Sequence, residues 1–263
     1  MIKKPTVEEI KEIIAKADSN RKSFILKELK EDNRSGIQKE LKKIRKEHQI
    51  ERLLRQNFRK LSKFESNLYS QGFQYIAGVD ESGRGPLAGP LVASAVILPK
   101  DCYIAGLKDC KLLLPEQREQ LYEEIIAKAI DFSIAEVSSF EIDGLGLHKA
   151  NLKVLKLAVA KLNNKPDFVL SDGFNVEMPY PSLKIIKGDM VSVSIAAASI
   201  VAKVHRDRLM DGYHAAFPQY GLDKHKGYGT KDHKEALKKY GPSAIHRQIF
   251  EPVRLTSDES PRP

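Results

Sequence analysis

The sequence contains no tryptophan, only two cysteines, and no apolar run long enough to cross a lipid bilayer. Because a membrane-spanning helix needs roughly 20 apolar residues, we expect no membrane protein. Cys102 and Cys110 have neither the spacing of a zinc site nor that of a CxxC pair, which favours reduced structural thiols. The first residues lack the apolar stretch of a signal peptide, so we expect a cytoplasmic protein.

Acidic side chains are scarce at one end of the chain. Residues 1–63 hold 19 basic and 10 acidic side chains, whereas residues 64–263 hold 25 of each sign. The net charge of +9 therefore belongs to the N-terminal quarter. A basic arm beside a neutral body indicates a polyanionic partner, above all nucleic acid. The alternative is a solvated helical surface that is basic without having a partner.

The chain is expected to contain three parts. Residues 1–70 show helical spacing of apolar residues and a capping box from Thr6 to Glu9, which predicts a basic helical extension of two or three helices. Residues 71–253 form a body that is long enough to bury a full core. The polar residues 254–263 include two prolines and are expected to be disordered.

The body alternates between strand and helix patterns, which indicates an α/β protein. The expected strands cover residues 73–80, 90–98, 131–138, 167–172 and 182–187. The expected helices cover residues 115–129, 148–163, 191–204 and 230–240. Small side chains dominate the third of these helices, so it can lie flat against the sheet.

The most informative segment joins an apolar strand to two acids and a glycine-rich loop. The strand leads into Asp80 and Glu81, and an arginine between Gly83 and Gly85 follows. Paired acids favour a cation, and glycines around an arginine suit a sugar-phosphate ligand. With Ala88 the glycines also match a dinucleotide-binding turn, but that turn requires a helix, and here a second strand follows. The segment therefore points to phosphodiester chemistry.

Two further acids lie where other elements begin or end. Asp172 closes an expected strand, and Asp189 precedes the small-residue helix. Taken singly, Asp172 is typical of a turn residue and Asp189 of a helix N-cap. Taken with Asp80 and Glu81, they can converge at one edge of the sheet, where four carboxylates need cations. Oxygen ligands favour Mg²⁺ or Mn²⁺, and two such ions can activate water and stabilise the leaving 3′-oxygen of a phosphodiester.

Motifs over about residues 72–253 resemble, in order, those of ribonuclease HII, the bacterial type 2 ribonuclease H. They are Gly78-Val-Asp-Glu-Ser-Gly-Arg-Gly-Pro-Leu-Ala-Gly-Pro90, Gly106-Leu-Lys-Asp-Cys-Lys111, Lys187-Gly-Asp189, Ile195-Ala-Ala-Ala-Ser-Ile-Val-Ala-Lys-Val204, Arg206-Asp207, Gly227-Tyr-Gly-Thr230 with His233, and Gly241-Pro242 with Ile245-His-Arg247 and Phe250-Glu-Pro-Val253. The resemblance implies a ribonuclease H-like fold, with a mixed five-stranded sheet flanked by helices. It also implies cleavage of the RNA strand in RNA–DNA hybrids and cutting 5′ to single ribonucleotides in DNA duplexes, leaving 5′-phosphate and 3′-hydroxyl ends. Ribonucleotide removal and RNA primer processing would be its roles.

The resemblance also implies roles for individual residues. Four acids would be catalytic and would bind Mn²⁺ or Mg²⁺: Asp80, Glu81, Asp172 and Asp189. Three loop residues would contact the 2′-hydroxyl that distinguishes RNA from DNA: Gly83, Arg84 and Gly85. Tyr228 would stack on the deoxyribose after the junction, the alternative being a turn tyrosine packed on the body. Three lysines would contact phosphates: Lys108, Lys111 and Lys203. For Lys203 an ion pair with Asp207, four residues later on a helix, is the alternative.

Three positions depart from the family pattern. Cys110 replaces a serine, so we expect one phosphate contact to be weaker, because a thiol is a poorer hydrogen-bond partner than a hydroxyl. Ser82 stands where alanine or valine is usual, and Ile249 stands where serine is usual. None of these changes affects the four acids.

Three other functions compete with this interpretation. Ribonuclease HIII, which cuts runs of ribonucleotides, resembles this pattern with threonine in place of Arg84, so Arg84 argues against it. A duplex-binding protein without activity gains nothing from acids beside a polyanion. An integrase-like nuclease would not carry the Asp-Glu-x-Gly-Arg-Gly motif. We expect a monomer whose basic extension adds salt-dependent affinity for the duplex.

Overall fold

The computed structural model describes residues 5–258, without the side chains of residues 19, 20, 257 and 258. The chain forms two compact units, which divide between Asn57 and Phe58. The boundary that we expected after residue 70 lies later in the chain than this division. Among the described residues, none of the helices combines the length and apolar character needed to cross a membrane.

The N-terminal unit is a helical bundle. Its helices are α1 (Val7–Lys16), α2 (Ser19–Glu28) and most of α3 (Ser35–Leu61). The Thr6 hydroxyl accepts a hydrogen bond from the Glu9 N–H, and the Glu9 carboxylate accepts one from the Thr6 N–H, which is the capping box expected from the sequence. The buried core consists of Ile10, Ile14, Ile25, Ile37, Leu41 and Ile44. The nine Lys and Arg side chains of α3 are all exposed.

A fourth helix, α4 (Lys63–Ser70), belongs to the larger unit. Its Glu65 is buried, and one carboxylate oxygen accepts hydrogen bonds from the Ser192 hydroxyl at 2.5 Å and from the N–H and hydroxyl of Ser194 at 3.0 and 2.8 Å. Four helices therefore precede residue 70, where we expected two or three. The number is higher because the chain is interrupted twice more than we expected. Asp18 begins α2 by accepting a hydrogen bond from the Arg21 N–H, and α3 ends at Leu61, before α4 begins at Lys63.

The larger unit is built on a mixed five-stranded sheet, as expected. Its strands are β1 (Ile76–Ser82), β2 (Leu91–Ile97), β3 (Asp131–Val137), β4 (Phe168–Asp172) and β5 (Ser182–Ile185). The order across the sheet is β3-β2-β1-β4-β5. The first three strands pair antiparallel, whereas β4 runs parallel to both β1 and β5. Each expected strand is present, and the direct return from β1 to β2 confirms that no dinucleotide-binding helix follows the glycines.

Helices cover both faces of this sheet. They are α5 (Pro115–Lys128), α6 (Ser139–Leu145), α7 (Leu147–Ala160) and α8 (Val193–Ala216). Helices α5 and α8 bury one face, and α7 buries the other. The small side chains of α8 let it approach β1 closely: a Cβ on Gly78 would lie 2.1 Å from the Ser194 carbonyl carbon. The sheet and α8 therefore fix each other at the strand that carries the paired acids.

The C-terminal helices form a third apolar cluster against the end of α8. They are α9 (Leu222–His225), α10 (Lys231–Tyr240) and α11 (Glu251–Asp258). Helix α11 covers the first part of the segment, residues 254–263, that was expected to be disordered, and its Val253 is fully buried in this cluster. Residues 259–263 lie outside the described part of the chain.

Candidate active site

The candidate active site lies where two parallel strands end at the same edge of the sheet. Asp80 and Glu81 lie near the end of β1, and Asp172 is the last residue of β4. Val79 pairs with Ser171, so Asp80 and Asp172 follow at neighbouring positions. Asp189 lies in a 3-10 turn, Gly188–Met190, directly before α8. The structure therefore brings the four expected acids to one edge.

Backbone hydrogen bonds orient two of these carboxylates. Asp80 Oδ1 accepts from the Glu81 N–H at 2.7 Å, and Asp172 Oδ1 accepts from the Gly188 N–H at 2.6 Å. The second bond joins the end of β4 to the turn that carries Asp189. A Cβ on Gly188 would lie 2.5 Å from Ile195 Cδ1, so a side chain there would require Ile195 or the turn to shift.

Burial, together with neighbouring carboxylate charges, raises the pKa values of Asp80, Glu81 and Asp172. Burial raises the pKa of Asp80 well above its ordinary value, and the charges of Glu81 and Asp172 raise it further. Burial raises the pKa of Glu81 to about 7, with Arg84 opposing the shift and Asp172 adding to it. Burial also raises the pKa of Asp172, and the charge of Asp189 adds to that shift. Interactions of this kind require short distances between carboxylates, so the four behave as one electrostatic cluster.

The donor set fits divalent cations that the substrate helps to bind. Across residues 5–258, no three His, Cys, Asp or Glu side chains stand in positions to hold a metal ion by themselves. However, Glu81 Oε2 is buried without a hydrogen-bond partner in the described structure, and a cation would satisfy it. Mg²⁺ characteristically binds one or two carboxylates together with substrate phosphates rather than an all-protein cage. Because the carboxylates do not form a complete cage, they would leave positions on a cation for a phosphodiester.

The glycine-rich loop adjoins both the acids and Tyr228. Arg84 Nε lies 3.8 Å from a Glu81 carboxylate oxygen, and its guanidinium lies over the Phe174 ring at 4.8 Å. A Cβ on Gly85 would lie 3.6 Å from Tyr228 Cε1, which places the tyrosine ring next to the loop. Tyr228 is 44% exposed, so its ring is available to a ligand.

The three expected lysines occupy different surroundings. Lys111 Nζ lies 3.5 Å from an Asp189 carboxylate oxygen while the side chain stays largely exposed, so this lysine is at the site. Lys108 is exposed on the same loop. Lys203 forms the ion pair with Asp207, at 2.7 Å, that was the alternative to a phosphate contact.

Cys110 is turned away from solvent. Its thiol is buried and lies 3.4 Å from the Ser199 hydroxyl, and Ser199 in turn favours the charged form of Asp80 by hydrogen bonding. We expected Cys110 to weaken a phosphate contact. In the structure the buried Cys110 thiol instead contacts Ser199, which is itself a hydrogen-bond partner of Asp80. Ser199 lies in the small-residue helix that the sequence predicts, but nothing in the sequence distinguishes it from its neighbours.

Four buried polar side chains belong to the motifs above, but the sequence indicates no role for them: Arg206, Arg247, His233 and His246. Both arginines are fully buried and bind the loop carbonyls. The histidines contact each other at 3.0 Å through their Nε2 atoms, and His233 Nδ1 lies 3.0 Å from the Tyr228 carbonyl oxygen. Polar side chains buried among apolar ones would have identified these four residues, but burial is not visible in the sequence.

Comparison with known proteins identifies the family of this chain. The family model for ribonuclease HII matches residues 77–253, and the model for the ribonuclease HII N-terminal domain matches residues 6–69. This chain belongs to the ribonuclease HII family. The family's ribonuclease HII from Bacillus licheniformis is 44% identical over 249 residues, which cover 95% of this chain and 97% of the relative.

Two solved structures share the fold of this chain over most of its length. Ribonuclease H2 from Pyrococcus horikoshii OT3 has a TM-score of 0.62 and 27% identity, covering 70% of this chain and 97% of that one. A Bst ribonuclease HIII in complex with Mn²⁺ has a TM-score of 0.54 and 20% identity, covering 70% of each chain, and shows the fold alone. The expected ribonuclease H-like fold is thus confirmed.

Family membership settles the class of reaction. Ribonuclease HII enzymes are endonucleases that hydrolyse the RNA of RNA–DNA hybrids, and the chain is a hydrolase of this class. Its N-terminal helices also belong to the family, since they match the family's own N-terminal domain.

Proposed function

We propose that the enzyme cuts both RNA–DNA hybrids and DNA duplexes that contain a single ribonucleotide, on the 5′ side of the ribonucleotide. The products would carry 5′-phosphate and 3′-hydroxyl ends. One observation carries this proposal: a cluster of mutually repelling carboxylates lies beside a glycine-rich loop that adjoins the exposed ring of Tyr228. The first part suits phosphodiester hydrolysis, and the second suits recognition of one ribose.

Asp80, Glu81, Asp172 and Asp189 would hold the divalent cations, with Mg²⁺ or Mn²⁺ as the ions that suit carboxylate oxygens. When bound there, two such ions supply an activated water and charge stabilisation at the leaving 3′-oxygen. The raised pKa of Glu81 supports this assignment, because buried carboxylates that repel one another become fully ionised only beside a cation. The Mn²⁺ bound by the ribonuclease HIII neighbour is consistent with either ion.

Recognition would rest on the loop and the tyrosine. Backbone groups of Gly83, Arg84 and Gly85 would contact the 2′-hydroxyl, the group that RNA has and DNA lacks. Tyr228 would stack on the next sugar and leave no room for a second 2′-hydroxyl there. Lys108 and Lys111 would contact phosphates and so set the register of the duplex. Lys203, which is paired with Asp207, would reach a phosphate with the donors that this pair leaves.

We further propose that the enzyme works as a monomer in the cytoplasm, in ribonucleotide removal and RNA primer processing. Light scattering is expected to give a single species near the chain mass of 29.6 kDa. A species of twice that mass would contradict the monomer.

The experiment is cleavage of three end-labelled duplexes: one with a single ribonucleotide, one with a run of four, and one of DNA alone. Each is incubated with Mg²⁺ or Mn²⁺, with chelator, and with the Asp80→Asn variant. We expect one cut 5′ to the single ribonucleotide, lost with chelator and in Asp80→Asn, and no cut in DNA. Cleavage of the run without cleavage at the single ribonucleotide would refute the proposal and indicate ribonuclease HIII behaviour. Binding without cleavage of any duplex would leave only a duplex-binding protein.

A further inference from the structure

Two arginine side chains lie fully buried behind the glycine-rich loop. Arg247 donates from Nε to the Gly89 carbonyl oxygen at 3.0 Å and from Nη1 to that of Arg84 at 3.1 Å. Its Nη2 donates to the carbonyl oxygens of Gly83 at 2.6 Å and Gly89 at 2.8 Å. Arg206 is equally buried, and it donates to Pro90 and Ala88 at 3.1 Å each. Six of the bonds from these two side chains thus end on one loop.

A buried guanidinium is costly unless each N–H finds a partner. The hydrogen bonds that the two groups make within residues 5–258 go to backbone carbonyls, so no carboxylate neutralises either charge at hydrogen-bonding distance. The charges also oppose each other, since burial and the charge of Arg206 lower the pKa of Arg247 to about 9. A fold that only needed to fill this space would do so with apolar side chains at lower cost.

The direction of the bound carbonyls determines the direction of the loop N–H groups. In a trans peptide the C=O and the following N–H point in opposite directions. Because Arg247 draws the carbonyls of Gly83 and Arg84 inward, the N–H groups of Arg84 and Gly85 point outward. These are backbone groups that can reach a ribose hydroxyl at the loop surface.

The two glycines of the loop face different sides, Gly83 the buried arginine and Gly85 the outer surface. Gly83 has φ +99°, and a Cβ there would lie 2.2 Å from Arg206 Nε, so this glycine makes room for the arginine. Gly85 has only Tyr228 Cε1 near its added Cβ, at an ordinary 3.6 Å, so this glycine keeps the outer side open. The loop needs the first glycine for the buried arginine and the second for its ligand.

Arg206 also joins the loop to the segment that carries Tyr228. Its Nη1 donates to the Lys226 carbonyl oxygen at 3.0 Å, and the Leu87 N–H donates to that of Gly227 at 2.8 Å. The loop and the Tyr228 segment are therefore joined through Arg206 and through the Leu87–Gly227 bond.

We propose that Arg206 and Arg247 are positioning residues that orient the N–H groups of the Gly83–Gly85 loop toward the 2′-hydroxyl of the ribonucleotide. This inference rests on the proposed function of that loop. The arginines touch no substrate atom and act through the backbone that they hold. Without them the loop would keep its sequence but lose its discrimination between a ribonucleotide and a deoxyribonucleotide.

The test measures binding in chelator, which suppresses cleavage, for a duplex with one ribonucleotide and for the same duplex in DNA. The wild type is expected to prefer the ribonucleotide by about 3- to 10-fold, the value of one hydrogen bond. Arg247→Lys keeps the charge and loses the fork of donors, and we expect its preference to fall to about one. Phe250→Leu is a milder second variant, because the Phe250 ring packs on the Arg247 guanidinium at 5.4 Å, and it should lose part of the preference.

Two controls separate positioning from stability. Arg208→Met removes an exposed arginine of the same helix as Arg206, and it should keep the full preference. Val154→Ala removes buried bulk on the other face of the sheet, and it should lower the melting temperature without changing the preference. If Arg247→Lys and Phe250→Leu both retained the wild-type preference, the positioning role would be wrong. A wild type with no preference and no cut at a single ribonucleotide would instead overturn the proposed function.

Discussion

Gly78→Ala tests how closely the sheet and α8 must fit for the acids to stay in place. Gly78 lies on β1 two residues before Asp80. An added Cβ would lie 2.1 Å from the carbonyl carbon of Ser194, 2.4 Å from its oxygen, and 2.3 Å from the Ile195 nitrogen. Carbon atoms in contact stand about 3.5–4.0 Å apart. The methyl group therefore requires α8 and β1 to separate by more than ~1 Å.

Backbone atoms surround the new methyl group, so rotation of a side chain cannot relieve the clash. Overpacking a buried site costs about 1–3 kcal/mol, and this geometry places Gly78→Ala at or above the upper value. For a unit of about 200 residues, 3 kcal/mol corresponds to a fall in melting temperature of about 6–12 °C. Because Ser199 on α8 contacts Asp80, the same displacement should lower the cleavage rate by about 10²-fold.

The assay is thermal unfolding, followed by hybrid cleavage at a temperature where the variant is folded. Gly212→Ala is the matched control, because Gly212 lies in the same helix and an added Cβ would meet nothing within 4 Å. Its expected effect is a gain of about 1 kcal/mol from helix propensity, with unchanged activity. A melting temperature for Gly78→Ala within about 1 °C of wild type would show that β1 and α8 accept the methyl group without strain, since 1 kcal/mol alone shifts it by more.

Three further predictions concern charge. Burial lowers the pKa of His246 to about 4, so the unfolded chain binds a proton that the folded chain does not between pH 6.5 and 4. From pH 7 to pH 5 the free energy of unfolding should therefore fall by about 2 kcal/mol more in the wild type than in His246→Asn. Urea unfolding measures it, and an equal fall in both proteins would contradict this prediction. Replacing exposed Lys42, Arg45 and Lys46 of α3 with glutamine should reduce the salt dependence of duplex binding, by up to about 0.9 in slope per residue, whereas an unchanged slope would exclude α3 from binding. Glu65→Ala should cost about 2–3 kcal/mol by removing the acceptor of three hydrogen bonds, with Glu65→Gln milder, and equal melting temperatures would contradict that role.

Local patterns predicted the framework because their causes are local. The strands follow from apolar runs that β pairing buries on both faces, and helix starts such as Pro115 and Thr230 follow from residues that cap or begin a helix. Strand β1 extends past both acids to Ser82, because the antiparallel ladder with β2 continues to Val92. Each expected strand is present, and only its ends differ.

The buried residues that hold the site in place could not be predicted, because their hydrogen-bond partners are distant in sequence and are mostly backbone groups. Arg247 binds a carbonyl 164 residues earlier, and Arg206 binds one 118 residues earlier. Glu65 caps α8 from a segment 127 residues away. No spacing rule connects such positions. The convergence of the four acids could be predicted, because each stands at the end or start of a predicted element and parallel strands end at the same edge of a sheet.

The central claim is that Asp80, Glu81, Asp172 and Asp189 act as one metal-binding catalytic cluster. Its most direct test is the single-turnover cleavage rate of an RNA–DNA hybrid for each Asp→Asn or Glu→Gln variant, with Asp232→Asn as an exposed control on α10. We expect the rate to fall by about 10²-fold or more for all four variants, with hybrid binding in chelator undiminished, and to stay unchanged for the control. Near wild-type rates in two of the four variants would contradict the cluster.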